Sequence, residues 1–207
     1  MEQAPEVLYV DGWIGVVVKP AGLMVEPDKL GHPNLQEWAE NEWGGQTWAV
    51  HRLDRPTSGL IVLARKKTAC SRLMQQFEKR LIKKRYVFKT HVALSESEWF
   101  WEDYLEKRPA EFRSVVVDQP KGQRASLRGQ RSSAHGGEME LFTGRYHQIR
   151  AQAAHRGLPI LGDTFYGGVP WEERGIALHA SHLTFQHPQS QEECVFDHLP
   201  YWHALEG

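Results

Sequence analysis

Residues 60–64 read Leu60-Ile61-Val62-Leu63-Ala64, residues 65–81 follow with Leu73, Phe77 and Leu81 at every fourth place, and residues 86–88 read Tyr86-Val87-Phe88. The reading of this stretch decides the fold. An unbroken apolar run of strand length is what a strand buried on both faces needs. Apolar side chains four apart share one face of a helix, and Thr68 stands where that helix would be capped. Tyr86-Val87-Phe88 returns to β-branched and aromatic residues and predicts a second strand. Working outward, Leu8–Val10 and Ile14–Val18 flank Asp11-Gly12, a hairpin signal, and Lys19-Pro20-Ala21-Gly22 stops the second of these strands. Asn34 is placed to cap a helix through Leu35, Trp38 and Ala39, with Glu37 at its third position. Residues 112–117 and 138–142 read as strands. Residues 147–156 have helical spacing through Ile149, Ala153 and Ala154, closed by Gly157-Leu158-Pro159, and 176–185 read as strand, turn, strand. Residues 118–137, rich in Gly, Ser, Gln and Arg, read as one long exposed loop or a mobile hairpin. Interleaved strands and helices with several adjacent hairpins imply an α+β class, a mixed and mainly antiparallel sheet with flanking helices.

The chain has 207 residues, 41 % hydrophobic and 25 % charged, which fits one globular domain over 1–207 and excludes disorder, collagen and coiled coil as whole-chain descriptions. No apolar run approaches the ~18 residues of a membrane span, and the N-terminus lacks the basic and apolar regions of a secretory signal. Cys70 and Cys194 are too few for a disulfide framework. A reduced cytoplasmic protein without a membrane is therefore expected, and a monomer. His179, His182 and His187 lie close in sequence, but no cysteine or carboxylate completes a familiar ligand set, so no metal is expected. Trp99-Phe100-Trp101 read as core packing or a cover over the sheet, with a base-stacking surface as the rival reading.

The formal net charge of −1 argues against a protein that holds nucleic acid by bulk charge. The total hides a polarised chain. Residues 52–89 carry twelve Lys and Arg against Asp54 and Glu78, a net +10, while 1–51 and 163–207 are acidic. Residues 119–137 add four basic residues and no acid. A locally basic stripe is what phosphate neutralisation requires, and it is also what a solvated helix face looks like.

The chemistry-bearing segment is His51-Arg52-Leu53-Asp54-Arg55-Pro56-Thr57-Ser58-Gly59-Leu60, a loop just before the buried run. Loops at strand ends are where rigid scaffolds present reactive groups. An aspartate between two arginines stays ionised, which suits a nucleophile or general base and not a general acid. A surface ion pair in a Pro-Thr-Ser-Gly turn has the same appearance, and spacing alone leaves both open.

The string His51-Arg52-Leu53-Asp54-x-x-Thr57-Ser58-Gly59 resembles the signature of the RluA family of RNA pseudouridine synthases. Further segments resemble that family in order: Lys19-Pro20-Ala21-Gly22-Leu23-Met24-Val25; Lys84-Arg85-Tyr86; Gly144-Arg145-Tyr146-His147-Gln148-Ile149-Arg150; Gly157-Leu158-Pro159-Ile160-Leu161-Gly162-Asp163 with Tyr166-Gly167; and Leu178-His179-Ala180 with His187-Pro188. The resemblance runs from residue 8 to about 200. It implies a catalytic domain without an S4-type RNA-binding domain, isomerising uridine in rRNA or tRNA without cofactor or metal. The C1′–N1 bond breaks, the base turns over, and C1′ joins C5. The resemblance makes Asp54 the essential carboxylate. Attack at C1′, attack at C6 and abstraction of the C2′ proton all remain open to it. It further implies Arg150 as the partner of Asp54, Tyr86 as the phenol stacked on the base, and Arg52 as the wedge that replaces the extruded base. Arg145 shapes the pocket or holds a phosphate, and Ile149 packs against the flipped ring or in the core. Arg55, Lys83 and Lys84 are the expected RNA-backbone contacts. Tyr146 and Glu26 depart from the family pattern, which usually has Thr or Lys at the first place and often His at the second. A non-catalytic RNA-binding protein that keeps the fold is the alternative, and a hydrolase using Asp54 as nucleophile ranks last.

Overall fold

The computed structural model describes residues 3–119 and 121–205. In chain order its elements are β1 (Glu6–Val10), β2 (Ile14–Lys19), α1 (Leu35–Trp43), β3 (Trp48–Ala49), β4 (Ser58–Ala64), α2 (Lys67–Glu78), β5 (Lys83–Lys89), β6 (Glu98–Arg108), β7 (Arg113–Val117), β8 (Gln123–Arg131), β9 (Gly136–Leu141), α3 (Gln148–His155), β10 (Leu178–Gln186) and β11 (Glu193–Asp197). They fall into two compact units, residues 1–84 with 179–202, and residues 85–178 with 203–207.

The first unit is built on the apolar run. Strand β4 is buried from Gly59 to Ala64, and each such aliphatic side chain taken from water is worth about 1.5–3 kcal/mol. It pairs antiparallel with β2, and β2 with β1. On its other side it runs parallel to the start of β10, with Ser58 opposite His179 and Gly59 opposite Ala180. That approach is close: a Cβ on Gly59 would lie 2.4 Å from the Ala180 backbone, and Gly59 has φ +117. Helix α2 packs Ala69 and Leu73 onto a core with Val16, Val62, Leu183 and Phe185. Asn34 caps α1 as expected, its side-chain oxygen accepting from Glu37 N at 2.9 Å.

The second unit is an antiparallel sheet in the order β5-β9-β8-β6-β7. Helix α3 packs on β6 and β7, where Leu105, Ala125 and Ala151 form a core with Val116 and Tyr166. Asp103 anchors it, accepting from Gln152 at 2.6 Å and from Arg156 at 2.8 and 3.1 Å. The mixed, mainly antiparallel α+β class is the one the pattern implied.

Four local expectations differ. Thr68 does not cap α2: the cap is Lys66 in extended conformation with no side-chain bond, so Thr68 is the second residue of the helix. Leu81 is beyond the helix, which ends at Glu78; Arg80 has φ 57, and Leu81 is exposed. Residues 178–186 are one strand without a turn. Of the two readings of 118–137, the hairpin holds and the loop does not: 123–131 are strand β8, paired antiparallel with β9, their alternation burying Ala125 and Leu127 while Arg124 and Arg128 point outward to Glu102 and Glu140 at 2.6 Å; Pro120 lies outside the described residues. The tryptophans behave as core: Trp99 and Trp101 are buried and stacked at 5.6 Å, with Phe100 between them exposed. No helix among the described residues is long and apolar enough to cross a membrane.

Candidate active site

In the first unit the loop before β4 is fixed from below. Because Lys19 pairs with Gly59, the turn after β2 lies against the Asp54 loop. Gly22 N donates to Arg55 O at 2.7 Å, and Arg55 Nε donates back to Gly22 O at 3.1 Å. Lys19 is fully buried. Its Nζ donates to Pro20 O at 2.9 Å, Leu23 O at 2.8 Å and Arg55 O at 3.4 Å, tying both loops to one ammonium. Thr57 N donates to Asp54 O at 3.0 Å and closes the Asp54 turn. Asp54 itself is half-buried. His51 stacks on Phe77 at 4.7 Å and accepts from Val62 N at 3.1 Å; desolvation, with the nearby Lys84 charge, holds it at about 3, so it is neutral.

Burial pulls Lys19 down to about 7, with the charge of Asp54 opposing that fall. A lysine at 10.5 when unfolded and near 7 when folded binds its proton more tightly in the unfolded chain between those values. Its contribution to stability therefore rises with pH across that window and is lowest below pH 7. Between pH 7 and 9.5 the melting temperature of the wild type is expected to gain on that of Lys19→Met by on the order of 5 °C. Parallel melting curves for the two proteins over that range would refute it.

The remaining residues of the basic stripe divide. Arg52 is exposed, with Nη1 4.0 Å from Glu26 Oε2, so the residue that departs from the family pattern is the one facing it. Arg55 and Lys83 are also exposed. Lys84 lies over the Phe77 ring at 5.6 Å, and burial lowers its pKa. Arg65 donates to the Asp11 and Trp43 carbonyls, Arg72 donates to Pro188 O, and Lys66 lies 4.4 Å from the Trp13 ring centroid. Four of the twelve basic residues of the 52–89 segment, Arg65, Lys66, Arg72 and Lys84, thus make contacts within the unit, while Lys67, Lys79 and Arg80 are exposed.

In the second unit the turn 144–147 launches α3. Gln148 is buried, its Oε1 accepting from Thr143 Oγ1 at 2.7 Å and Arg145 N at 3.0 Å. Arg145 Nε donates to Arg124 O at 3.0 Å. His147 stands at φ 53, in the left-handed region, immediately before the helix; a non-glycine there costs on the order of 1 kcal/mol and persists only when its surroundings hold it. Tyr146 stacks on its ring at 3.8 Å, with Lys107 Nζ 4.7 Å from the Tyr146 centroid and the Tyr146 hydroxyl donating to Phe112 O at 3.2 Å. Tyr146 therefore braces the launching turn. His147 Nδ1 lies 3.0 Å from the Tyr166 hydroxyl.

Arg150 is buried and gripped side-on by Asp163, with Nε to Oδ2 at 2.7 Å and Nη2 to Oδ1 at 2.9 Å, and its guanidinium lies 4.9 Å from the Tyr166 ring centroid. Such two-point pairs fix direction as well as charge. Asp163 is held in turn, its carbonyl accepting from Tyr166 N and Gly168 N. Ile149 is buried, and Tyr86 is buried in mid-β5 opposite Met139. The structure thus brings Arg52, Asp54 and Arg55 together on one loop of the first unit, and Arg145, Ile149 and Arg150 together around the start of α3 in the second. Sequence reasoning assigned no role to Lys19 or Asp163. Both stand inside the quoted family segments, and a lysine after four apolar β-positions and an aspartate among glycines were the available signals.

A family profile described as RNA pseudouridylate synthase matches residues 14–155. The tRNA pseudouridine synthase C of Salmonella typhimurium is 32 % identical over 215 residues, covering 88 % of this chain and 80 % of that protein. The dual-specificity RNA pseudouridine synthase RluA of Vibrio parahaemolyticus is 33 % identical over 222 residues, covering 94 % and 88 %. Among solved structures, human RNA pseudouridylate synthase domain containing 1 superposes with a TM-score of 0.78 over 97 % of this chain and 86 % of that one; at 20 % identity it speaks for the fold. A family match over most of the chain, joined to relatives at this identity, establishes that the protein belongs to the RluA-type RNA pseudouridine synthases and is an RNA-modifying isomerase.

Proposed function

We propose that this synthase isomerises a uridine of structured rRNA or tRNA that it flips out of its helix, with Asp54 as the essential carboxylate. The observation that carries the reading is the fixation of the Asp54 loop: backbone bonds to the 20–23 turn and one buried ammonium hold it in place. A reactive group must be held within a fraction of an ångström to act. Asp54 breaks the C1′–N1 bond by attack at C1′, by attack at C6, or by taking the C2′ proton. The detached uracil turns so that C5 faces C1′. As the C1′–C5 bond forms, C5 gives up its proton and N1 ends protonated, so the product is an isomer of the substrate. Tyr86 stacks on the base, Ile149 lines the ring and Arg150 contacts the substrate, its guanidinium direction set by Asp163. Arg52, exposed on its loop, takes the vacated place in the stack, since a flat guanidinium stacks and bonds phosphate at once. Arg145 takes a phosphate, and Arg55, Lys83 and Lys84 contact the backbone, Lys84 the least freely because it is drawn onto Phe77. No cofactor takes part. Both units count as one catalytic domain, acting as a monomer in the cytoplasm.

The Salmonella relative is named for tRNA and the Vibrio relative for dual specificity, which supports structured RNA as the substrate class. The test is a pseudouridine map of rRNA and tRNA from cells with and without the gene. At least one pseudouridine is expected to disappear from these RNAs and to return with the wild-type gene. Identical maps would overturn the reading.

A further inference from the structure

A chain of polar side chains leaves the base of the Asp54 loop and runs to the surface of the first unit. Ser58, the first residue of β4, has its Oγ 2.8 Å from His179 Nδ1. His179 Nε2 lies 3.0 Å from His198 Nδ1. His198 Nε2 lies 3.7 Å from Glu6 Oε2, which is open to solvent. Four separate parts of the chain contribute: β4, β10, the residue after β11, and β1. His179 is buried, while about a quarter of the His198 side chain is exposed. The backbone holds the pairs in register, through Ser58 opposite His179 and through His198 N donating to Ser181 O at 2.9 Å.

We propose that His198 is a positioning residue for the pseudouridine synthase reaction, setting the tautomer of His179 and through it the direction of the hydrogen bond at Ser58. The proposal rests on the reading that the Asp54 loop carries the chemistry. The argument is one of donors and acceptors. A neutral imidazole has one N–H and one bare nitrogen, so each link of the chain fixes the next. When His198 is neutral and turns its Nε2–H toward Glu6, its Nδ1 is an acceptor. His179 must then carry its hydrogen on Nε2, its Nδ1 is bare, and the Ser58 hydroxyl donates to it. When His198 gains a proton, both its nitrogens are donors. His179 Nε2 becomes the acceptor, its hydrogen moves to Nδ1, and Ser58 now receives a hydrogen bond. The Ser58 hydroxyl hydrogen then needs a new acceptor, and His179 is its only hydrogen-bond partner among the described residues.

His179 stays neutral in both states, because desolvation and the adjacent His198 hold it at about 3. It therefore passes on the change without taking up charge itself. The other ionisable groups alongside, His182 and Asp197, bond to each other at 2.6 Å. A proton added at the surface thus reverses a hydrogen bond next to the turn that Thr57 N closes on Asp54 O.

Turnover is followed by release of tritium from RNA labelled at uridine C5, using total RNA from cells lacking the gene. As pH falls from 8 to 5.5, kcat of the wild type is expected to drop by about two- to tenfold, the worth of one lost hydrogen bond, beyond the drop shown by His198→Asn. The asparagine does not titrate and keeps a polar group at the Nδ1 position. KM and the melting temperature at pH 8 are expected to match the wild type. Independently, ¹⁵N NMR of the His179 ring should show its hydrogen on Nε2 at pH 8 and on Nδ1 at pH 5.5. A single His179 tautomer throughout, superimposable kcat profiles, or a change confined to KM would each overturn the proposal. Failure of the underlying reading is separately visible: an Asp54→Asn protein with full turnover sinks the role of Asp54, whatever the His179 spectrum shows.

Discussion

Asp54→Asn is expected to lower turnover by at least about 10³-fold while leaving the melting temperature within a few degrees of the wild type. The amide has nearly the same shape, and backbone atoms, the Lys19 ammonium and Arg55 Nε supply bonds that hold the loop and that this change leaves in place. What the change removes is the charge and the lone pair. All three routes from uridine to its isomer use one or the other, so the loss is common to them, and removal of a nucleophile or general base costs factors of this order or more. The measurement is tritium release from uridine-labelled RNA under single-turnover conditions, with pseudouridine maps of cells carrying only the variant as the second readout. Retention of more than a tenth of wild-type turnover would show that another group does the chemistry. Binding of RNA should persist, because Arg52, Arg55 and Lys83 are untouched.

The second large effect is on stability. Asp163→Ala takes from the buried Arg150 guanidinium the two acceptors that Asp163 supplies at 2.7 and 2.9 Å. Breaking a buried pair by removing one partner costs about 3–5 kcal/mol, which for a chain of this size lowers the melting temperature by roughly 6–20 °C. The double variant Asp163→Leu with Arg150→Met separates packing from chemistry. Replacing a buried pair by apolar residues of similar volume is often neutral, so stability should return in the double variant. If Arg150 contacts substrate, turnover should not return with it. A double variant that is both stable and active would confine Arg150 to a structural role, and a single Asp163→Ala protein that melts like the wild type would show that the pair contributes nothing to the fold.

The fold was legible wherever burial wrote a period into the sequence. Leu60–Ala64 read as an interior strand, and Leu73 with Phe77 as a helix face, and both lie in the core of the first unit. It was illegible where polar residues sit on strands whose outward face is charged. Strand β8 looked like loop because Arg124 and Arg128 interrupt its apolar positions, and their carboxylate partners Glu102 and Glu140 are distant in sequence. The same reason hid the fate of the basic stripe. Arg65, Arg72 and Lys84 look like surface charge one residue at a time, and only the fold shows the carbonyls and rings that take them. The Asp54 loop was legible as a motif. Its support was not, because Lys19 acts through three backbone carbonyls that carry no residue identity. Asp163 was overlooked for a related reason: a capped turn and a ligand for a buried arginine look alike in one dimension.

The close passage of Gly59 over Ala180 bears on how relatives of this protein should be sorted. The space there is taken by backbone atoms of the neighbouring strand, 2.4 Å from where any side chain would begin. A descendant that had lost the carboxylate and kept only a binding role would still need that glycine to fold. The glycine of the signature is thus a marker of architecture, and if Asp54 is the essential carboxylate as proposed, a chain that keeps the glycine without that aspartate is expected to fold without isomerase activity. Genome surveys that score the signature as one unit will merge the two groups.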